Sequence, residues 1–569
     1  MVSGAQSISS PPPPEPTAAS PPPLAGAVLR GGGWMVGLRW SARLLGVVST
    51  AIVARLLLPE DYGLVALAMV AVELIEAMSA VGVDIALIRN TKATRAHYDT
   101  AWTIRILQYL GVGSLVLAVA PLLADFYDDD RVRLILIVVV CGLACNGFEN
   151  IGVVDFRKRL QFAKEFAYLF AVRLFCAVLC IALAFWLRNY WALVIPIAAR
   201  YFGQVALSYV VHPYRPRISL ALWREFGGFG LWMMANSLAG VVYSSGYRIL
   251  LGRFASPSEL GHYSIGAEIA GLPTNELVLP VSRALLPGVA QLAGEPDRQR
   301  RAFLRAFGAL AVWSLPASIG IALVAPNLVP VLLGEQWRET VPIIRILALF
   351  FGLRATFGTL GNLLILRAPP RVWVGLAWLR NGLFLAALVP AYQAWGILGV
   401  CWLKVAFGAV NVAQTCWLLR RYVGVRPSAV LGASWRPLVA VAGMAGALWG
   451  LGPHLSAPPI VALVCQVLAG GLCYAAGLFV LWLLAGRPAG IEREAIDLAR
   501  SRARRRGAKP ATGSAARATP ALMTRTGKWK PSRQKAATSA SRNSFAIAPP
   551  TSSGSMPTLG SQASVEPKH

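Results

Sequence analysis

Long apolar runs, each closed by a short polar or proline-bearing turn, repeat along the chain from about residue 34 to about residue 485. Each is long enough to cross a hydrocarbon core of about 30 Å at about 1.5 Å of rise per residue. They fall at roughly 34–58, 62–88, 101–124, 132–155, 166–187 and 190–211. A basic, proline-bearing connection follows (His212, Pro213, Arg215, Pro216, Arg217), then runs at roughly 225–251, 261–288, 304–326, 341–366, 371–390 and 396–418. A last pair occupies roughly 436–452 and 460–485. The pattern predicts an all-α polytopic membrane protein of about fourteen transmembrane helices, two sets of six and a terminal pair.

Composition supports this reading. Of 569 residues, 56% are hydrophobic and 14% charged, against about 25% charged in soluble chains. The formal charge of +28 changes the picture less than its size suggests. Roughly twelve of those charges lie after Gly486, in a stretch rich in Arg, Ala, Ser and Pro. Most of the rest sit in short loops between apolar runs, the ordinary topology signal of a membrane protein, so no nucleic acid partner is expected. The eight cysteines all fall inside apolar segments and read as small packing residues, without the His or carboxylate neighbours of a metal site.

Five segments are expected. Residues 1–33 form a disordered Pro-rich N-terminus, 34–211 a first lobe, 212–418 a second lobe, 419–486 the terminal helix pair, and 487–569 a disordered basic tail. The N-terminus lacks the basic and apolar regions of a cleavable signal peptide, so the first helix is expected to act as the membrane signal.

Loop charge orients the chain. Arg89, Lys92 and Arg95, then Arg157 to Lys164, Arg298 to Arg305 and Arg420 to Arg426 mark alternate loops as cytoplasmic, whereas the intervening turns are poor in Lys and Arg. Both termini are therefore expected in the cytoplasm. One internal repeat stands out, because Arg55-x3-Pro59-x-Asp61-x-Gly63 recurs as Arg253-x3-Pro257-x-Glu259-x-Gly261. Both copies open the second helix of a six-helix set. Sets with an even number of helices starting on one side are parallel repeats, which favours two lobes about a central cavity.

Ionisable groups inside the runs mark where chemistry could occur, since each costs about 2.5 kcal/mol or more at the centre of a helix in lipid. Arg39, Arg43, Glu73, Glu76, Arg105 and Glu149 lie in the first set; Arg248, Glu268, Glu276, Arg283, Arg354, Arg380 and Lys404 lie in the second. Arg39 and Arg43 share one helix face, either as interfacial anchors or as a paired guanidinium site for phosphate or pyrophosphate. Arg248 and Arg354 join them as candidate substrate-binding groups. Pro273, Pro280 and Pro287 predict a kinked or broken eighth helix that also carries Glu268, Glu276 and Arg283, the candidate coupling or gating groups. Glu276 and Arg283, seven apart, could equally form a locking ion pair, and Glu268 is expected to neutralise Arg248. No catalytic residue is assigned: P-loop, HExxH and G-x-S-x-G patterns are absent. Asp128, Asp129 and Asp130 read as a solvated turn more readily than as a divalent-ion site.

The stretch Ala54 to Ala66 followed by Val81 to Ile88 resembles the opening of bacterial Wzx-like oligosaccharide flippases. These belong to the multidrug/oligosaccharidyl-lipid/polysaccharide exporter superfamily. Phe229 to Trp232, Leu250 to Arg253, Gly261 to Ser264, Pro280 to Pro287 and Val329 to Trp337 extend the likeness in order. The colanic-acid or exopolysaccharide exporter branch is most similar. The resemblance implies that fold, a bacterial inner-membrane location, and alternating-access transport of an undecaprenyl-pyrophosphate-linked oligosaccharide driven by an H+ or Na+ gradient. No cofactor is implied. Membrane lipids are implied partners, and a polysaccharide polymerase and glycosyltransferases are candidates. Two alternatives stay open: a multidrug exporter of the same superfamily, and a membrane-embedded glycan ligase or glycosyltransferase. The latter would want a large outer loop that this sequence lacks.

Overall fold

Proline and acid at the turns explain where the helices begin. In the computed structural model α1 spans Leu24–Leu56 and α2 Pro59–Ser79. A short α3 (Val83–Arg89) leads to α4 (Arg95–Tyr127), α5 (Asp130–Cys145), a short α6 (Val154–Lys158), α7 (Phe162–Leu187) and α8 (Trp191–Val211). The second half holds α9 (245–254), α10 (Pro257–Ala290), α11 (Pro296–Leu332), α12 (Thr340–Gly358) and α13 (Pro370–Val423), and the chain closes with α14 (Pro427–Leu451) and α15 (Pro459–Leu484). Helices α2, α10, α11, α13, α14 and α15 all start on proline, which lacks the N–H that a first helical residue would leave unpaired. The structure describes residues 24–79, 83–90, 92–159, 161–224, 241, 245–290, 295–358, 369–451 and 457–486, with backbone alone at 24–36, 38–39, 77–79, 85–86, 89, 162, 275–290, 296, 370–371 and 373–374. Among these residues no strand occurs, and the chain is an all-α multi-pass membrane protein.

Two boundaries differ from expectation. Helix α1 starts ten residues before its apolar run, since Leu24, Ala25, Ala27, Val28 and Leu29 propagate a helix once Pro23 is passed. The fourth run, expected to continue to residue 155, leaves the α-helix at Cys145 and breaks into 3-10 turns at Asn146–Phe148 and Ile151–Val153. There Asn150 does the work of a lost helical turn. Its side chain accepts from Gly152 N and donates to the carbonyls of His212 and Tyr214. Helix α10 is not broken at its prolines: it stays helical from Pro257 to Ala290, as membrane helices with prolines often do. The eleventh and twelfth runs are two helices, as expected, continuous in α13 through a corner at Trp395 and Gly396, where Gly396 takes φ 60° and ψ −149°, a conformation that favours glycine.

The first half packs through α4 on α5, α7 on α8, α1 on α7 and α5 on α8. In the second, α10 and α11 both pack on α12, α13 follows α12, and the pair α14–α15 lies on α11. The connection after α8 is strapped to α4: Asp99 accepts from Tyr214 Oη (2.7 Å) and Arg217 N (2.9 Å), and Thr103 Oγ1 accepts from Ser219 N (2.9 Å).

The two halves meet along α2 and α10, and the repeated motif is what joins them. In each copy the acid reaches back to cap its helix, Asp61 accepting from Leu58 N (3.0 Å) and Glu259 from Ser256 N (2.9 Å). The glycines then let the helices cross. A Cβ on Gly63 would stand 1.8 Å from the Pro257 carbonyl oxygen, and one on Gly261 1.8 Å from that of Pro59. Turns from each half clasp the other. Trp337, fully buried between α11 and α12, donates its indole N–H to Ala54 O (2.7 Å), and Gln336 donates to Ala54 O (2.6 Å) and Leu57 O (2.9 Å). Arg55 donates to Val331 O, and from the first half the Tyr127 ring leaves no room for a side chain on Gly252. Asp128 to Asp130 form the turn beside it, with Asp129 capping α5 and binding Arg131, which also reaches Glu60 at 2.7 Å.

Candidate functional site

Helix α2 and helices α9, α10, α12 and α13 line a cavity of about 740 Å³ at this seam. Helix α2 lines it with Tyr62, Val65, Ala66, Met69 and Glu73, positions that recur at three- and four-residue steps on one helical face. The second half supplies an aromatic wall, Tyr247, Phe350, Phe384 and Phe407, and most of the charge. Among the described residues, four cations line the space, Arg248, Arg354, Arg380 and Lys404, against two carboxylates, Glu73 and Glu268. An excess of positive charge within a membrane span is costly unless water or an anion answers it.

The carboxylates are engaged across the seam. Arg248 Nη1 donates to Glu73 Oε1 at 3.1 Å, and Ser245 Oγ donates to Glu73 Oε2. Arg43 Nη1 lies 3.7 Å from Glu268 Oε1. Each pair joins one half to the other, with the acid on α2 in the first pair and on α10 in the second. The base is on α9 and then on α1, so first helix pairs with second helix in both directions.

Lys404 sits among aromatic rings. Lys404 Nζ stands 3.5 Å from the centre of the Tyr247 ring, 5.3 Å from Tyr263 and 5.7 Å from Phe350. Among the described residues no carboxylate lies within ion-pair distance of Lys404 or of Arg354. Arg380 donates to the amide oxygens of Asn411 and, at 3.4 Å, Gln414. A diphosphate could take parallel hydrogen bonds from such guanidinium groups while sugar rings lie on the aromatic wall.

Of the residues expected from sequence, Arg248, Arg354 and Glu268 converge on this cavity, and Arg43 reaches it through Glu268. The side chains of Arg39, Glu276 and Arg283 lie outside the described residues. The expected Arg248–Glu268 pair is replaced, because Arg248 turns toward α2 and Glu73 while Glu268 turns toward α1 and Arg43. Lys404, Arg380 and Glu73 were visible as charges in apolar runs but were not assigned to the site. Asn411 and the aromatic wall carried no signal that separated them from other span residues.

A second, smaller polar cavity of about 140 Å³ lies in the first half, around Arg105, Glu149, Tyr168 and Asp84. Arg105 and Tyr168 both donate to Glu149. This cluster answers its own buried charges.

The chain is similar to known proteins. A family model for polysaccharide biosynthesis proteins matches residues 52–342. The lipopolysaccharide biosynthesis protein WzxC of Escherichia coli (strain K12) is 24% identical over 439 residues, covering 75% of this chain and 86% of that protein. The succinoglycan biosynthesis transport protein ExoT of Rhizobium meliloti (strain 1021) is 24% identical over 493 residues, covering 84% and 97%. Among solved structures, the lipid II flippase MurJ in an inward closed conformation superposes with a TM-score of 0.63 at 12% identity, covering 79% of this chain and 99% of that one. That superposition shows the fold.

Proposed function

The chain belongs to the polysaccharide biosynthesis protein family, and from that premise we propose that it is a flippase for lipid-linked oligosaccharide. Its load is a saccharide on undecaprenyl diphosphate, carried from the cytoplasmic to the outer leaflet of a bacterial inner membrane. The observation that carries this reading is the cavity at the seam of the two halves, with four cations against two acids beside an aromatic wall. Its placement supports transport: the charges face a space at the seam of the two helical halves, the arrangement alternating access uses. A relative named as a transport protein and a fold shared with a lipid II flippase support the same reading.

With the basic loops in the cytoplasm, both termini lie there and the Pro59 and Pro257 turns face outward. The seal at those turns then closes the outer end, and the cavity stands ready to load from the inner leaflet. Lys404, Arg354 and Arg380 receive the diphosphate, Arg248 joins them, and Phe384 and Phe407 face the saccharide. Glu268 and the acid and base of α10, Glu276 and Arg283, are the coupling groups for an H+ or Na+ gradient. Membrane lipids surround the protein, and a polymerase and glycosyltransferases work beside it. A multidrug exporter handling organic cations is disfavoured by the cavity's positive excess.

Binding tests this directly. Purified protein in neutral-lipid nanodiscs is expected to bind undecaprenyl diphosphate, with Lys404→Met and Arg354→Gln each weakening it about tenfold, about 1.4 kcal/mol. Equal binding of undecaprenol, which lacks the diphosphate, would contradict the reading.

A further inference from the structure

The contact between Glu73 and Arg248 is built to be exchanged. It is single-armed: one guanidinium nitrogen meets one carboxylate oxygen at 3.1 Å, and Nε only approaches Tyr247 Oη at 3.4 Å. A guanidinium offers five donors in a planar fork, and a tight carboxylate pair uses two of them in parallel. Both side chains are part-open, 28% for Arg248 and 32% for Glu73, and both line the cavity. Lys404 lies against the same Tyr247 ring as Arg248, 3.5 Å from its centre against 5.9 Å, and both line the cavity, so an anion displacing Glu73 meets a second positive charge close by. An incoming diphosphate carries more negative charge than Glu73 and can take both arms of the fork.

We propose that Glu73 is a built-in stand-in for the substrate's anionic group: it holds Arg248 while the cavity is empty, yields it to the diphosphate, and reclaims it to expel the load. The inference rests on the flippase reading. It adds a releasing group on α2, across the seam from the cations of the second half. Because Glu73 and Arg248 belong to different halves, each exchange also undoes or restores a tie between them. The reverse-sense pair Arg43–Glu268, at 3.7 Å, leaves a second tie in place while the first is open. A carboxylate that only braced the fold would help binding or leave it alone. One that competes must weaken it.

The test titrates undecaprenyl diphosphate into full-length protein in nanodiscs of neutral lipid, for wild type, Glu73→Gln, Arg248→Gln and the double variant. Glu73→Gln is expected to bind five- to tenfold more tightly and to move lipid-linked saccharide several-fold more slowly in liposomes, since release is lost. Arg248→Gln is expected to bind more weakly, and adding Glu73→Gln to it should change nothing further. Unchanged or weaker binding by folded Glu73→Gln would overturn the proposal. Should that variant fail to fold, Ser245→Ala, which removes a hydrogen bond to Glu73, serves in its place, with about twofold tighter binding expected and no change overturning the idea. Phosphatidylglycerol added as a competitor separates a substrate diphosphate from a general lipid phosphate: tightening by Glu73→Gln is expected for the diphosphate and not for the phospholipid, and equal tightening of both would overturn the assignment to substrate. If wild type binds undecaprenyl diphosphate no better than undecaprenol, the flippase reading itself fails, a result distinct from diphosphate binding that ignores Glu73.

Discussion

Several charges inside the described spans are answered by groups far away in sequence. Arg105 and Glu149, with 12% and 11% of their side chains open, lie 44 positions apart; Arg105 donates to Glu149, which also accepts from Tyr168. Removing one partner strands the other, so Glu149→Leu should destabilise the protein by about 3–5 kcal/mol. Replacing both, as Arg105→Met with Glu149→Leu, should recover much of that loss. Thermal unfolding of the two variants in detergent checks the ordering; equal losses would mean the pair is not a closed unit. The sequence announced these residues as charges inside apolar runs, and it likewise announced Glu73, Arg380 and Lys404. It did not announce partners. Arg248 and Glu268 are near in sequence and were expected to pair, yet the helices turn them to opposite neighbours, Glu73 and Arg43. Partner choice depends on helix rotation and on which bodies pack, and neither is written in spacing alone.

At the scale of elements, local rules carried most of the outcome. Proline at the first helical position, an acid two residues on and a periodic apolar run located most helices within a few residues. They failed where a polar side chain replaced backbone pairing, as Asn150 does after Cys145. At α10, where prolines suggested a kink or a break, the helix is unbroken. The repeated motif was legible as a recurrence; its reciprocal use, each glycine beneath the other copy's proline carbonyl, required the packed halves. Gly63→Val and Gly261→Val should therefore each disfavour the sealed state by about 1–3 kcal/mol, the usual cost of overpacking. A cysteine placed at Met69, which lines the cavity, reports this in a background without the native cysteines. It should react faster with a membrane-impermeant thiol reagent from the outer face when either valine is present. Unchanged labelling would mean the glycine contacts do not close that end.

At the scale of the whole molecule, fold and site were legible to different depths. Hydrophobic runs long enough to span lipid dictate an all-helical membrane body almost regardless of detail, because backbone polar groups in hydrocarbon must pair within their own helix. The cavity depends on where the two bodies part, and that follows from the α2–α10 crossing and the clasps of Trp337 and Tyr127. Once the seam is placed, an excess of positive charge inside a membrane and two cross-half ion pairs define what the space can hold. The account's central claim is that this space carries a diphosphate-linked saccharide outward. Leaflet-selective labelling of lipid-linked oligosaccharide in cells lacking the protein measures that most directly. The account predicts accumulation in the cytoplasmic leaflet, relieved by the wild-type chain and not by Lys404→Met at equal expression. Saccharide reaching the outer leaflet at the normal rate without the protein would contradict it.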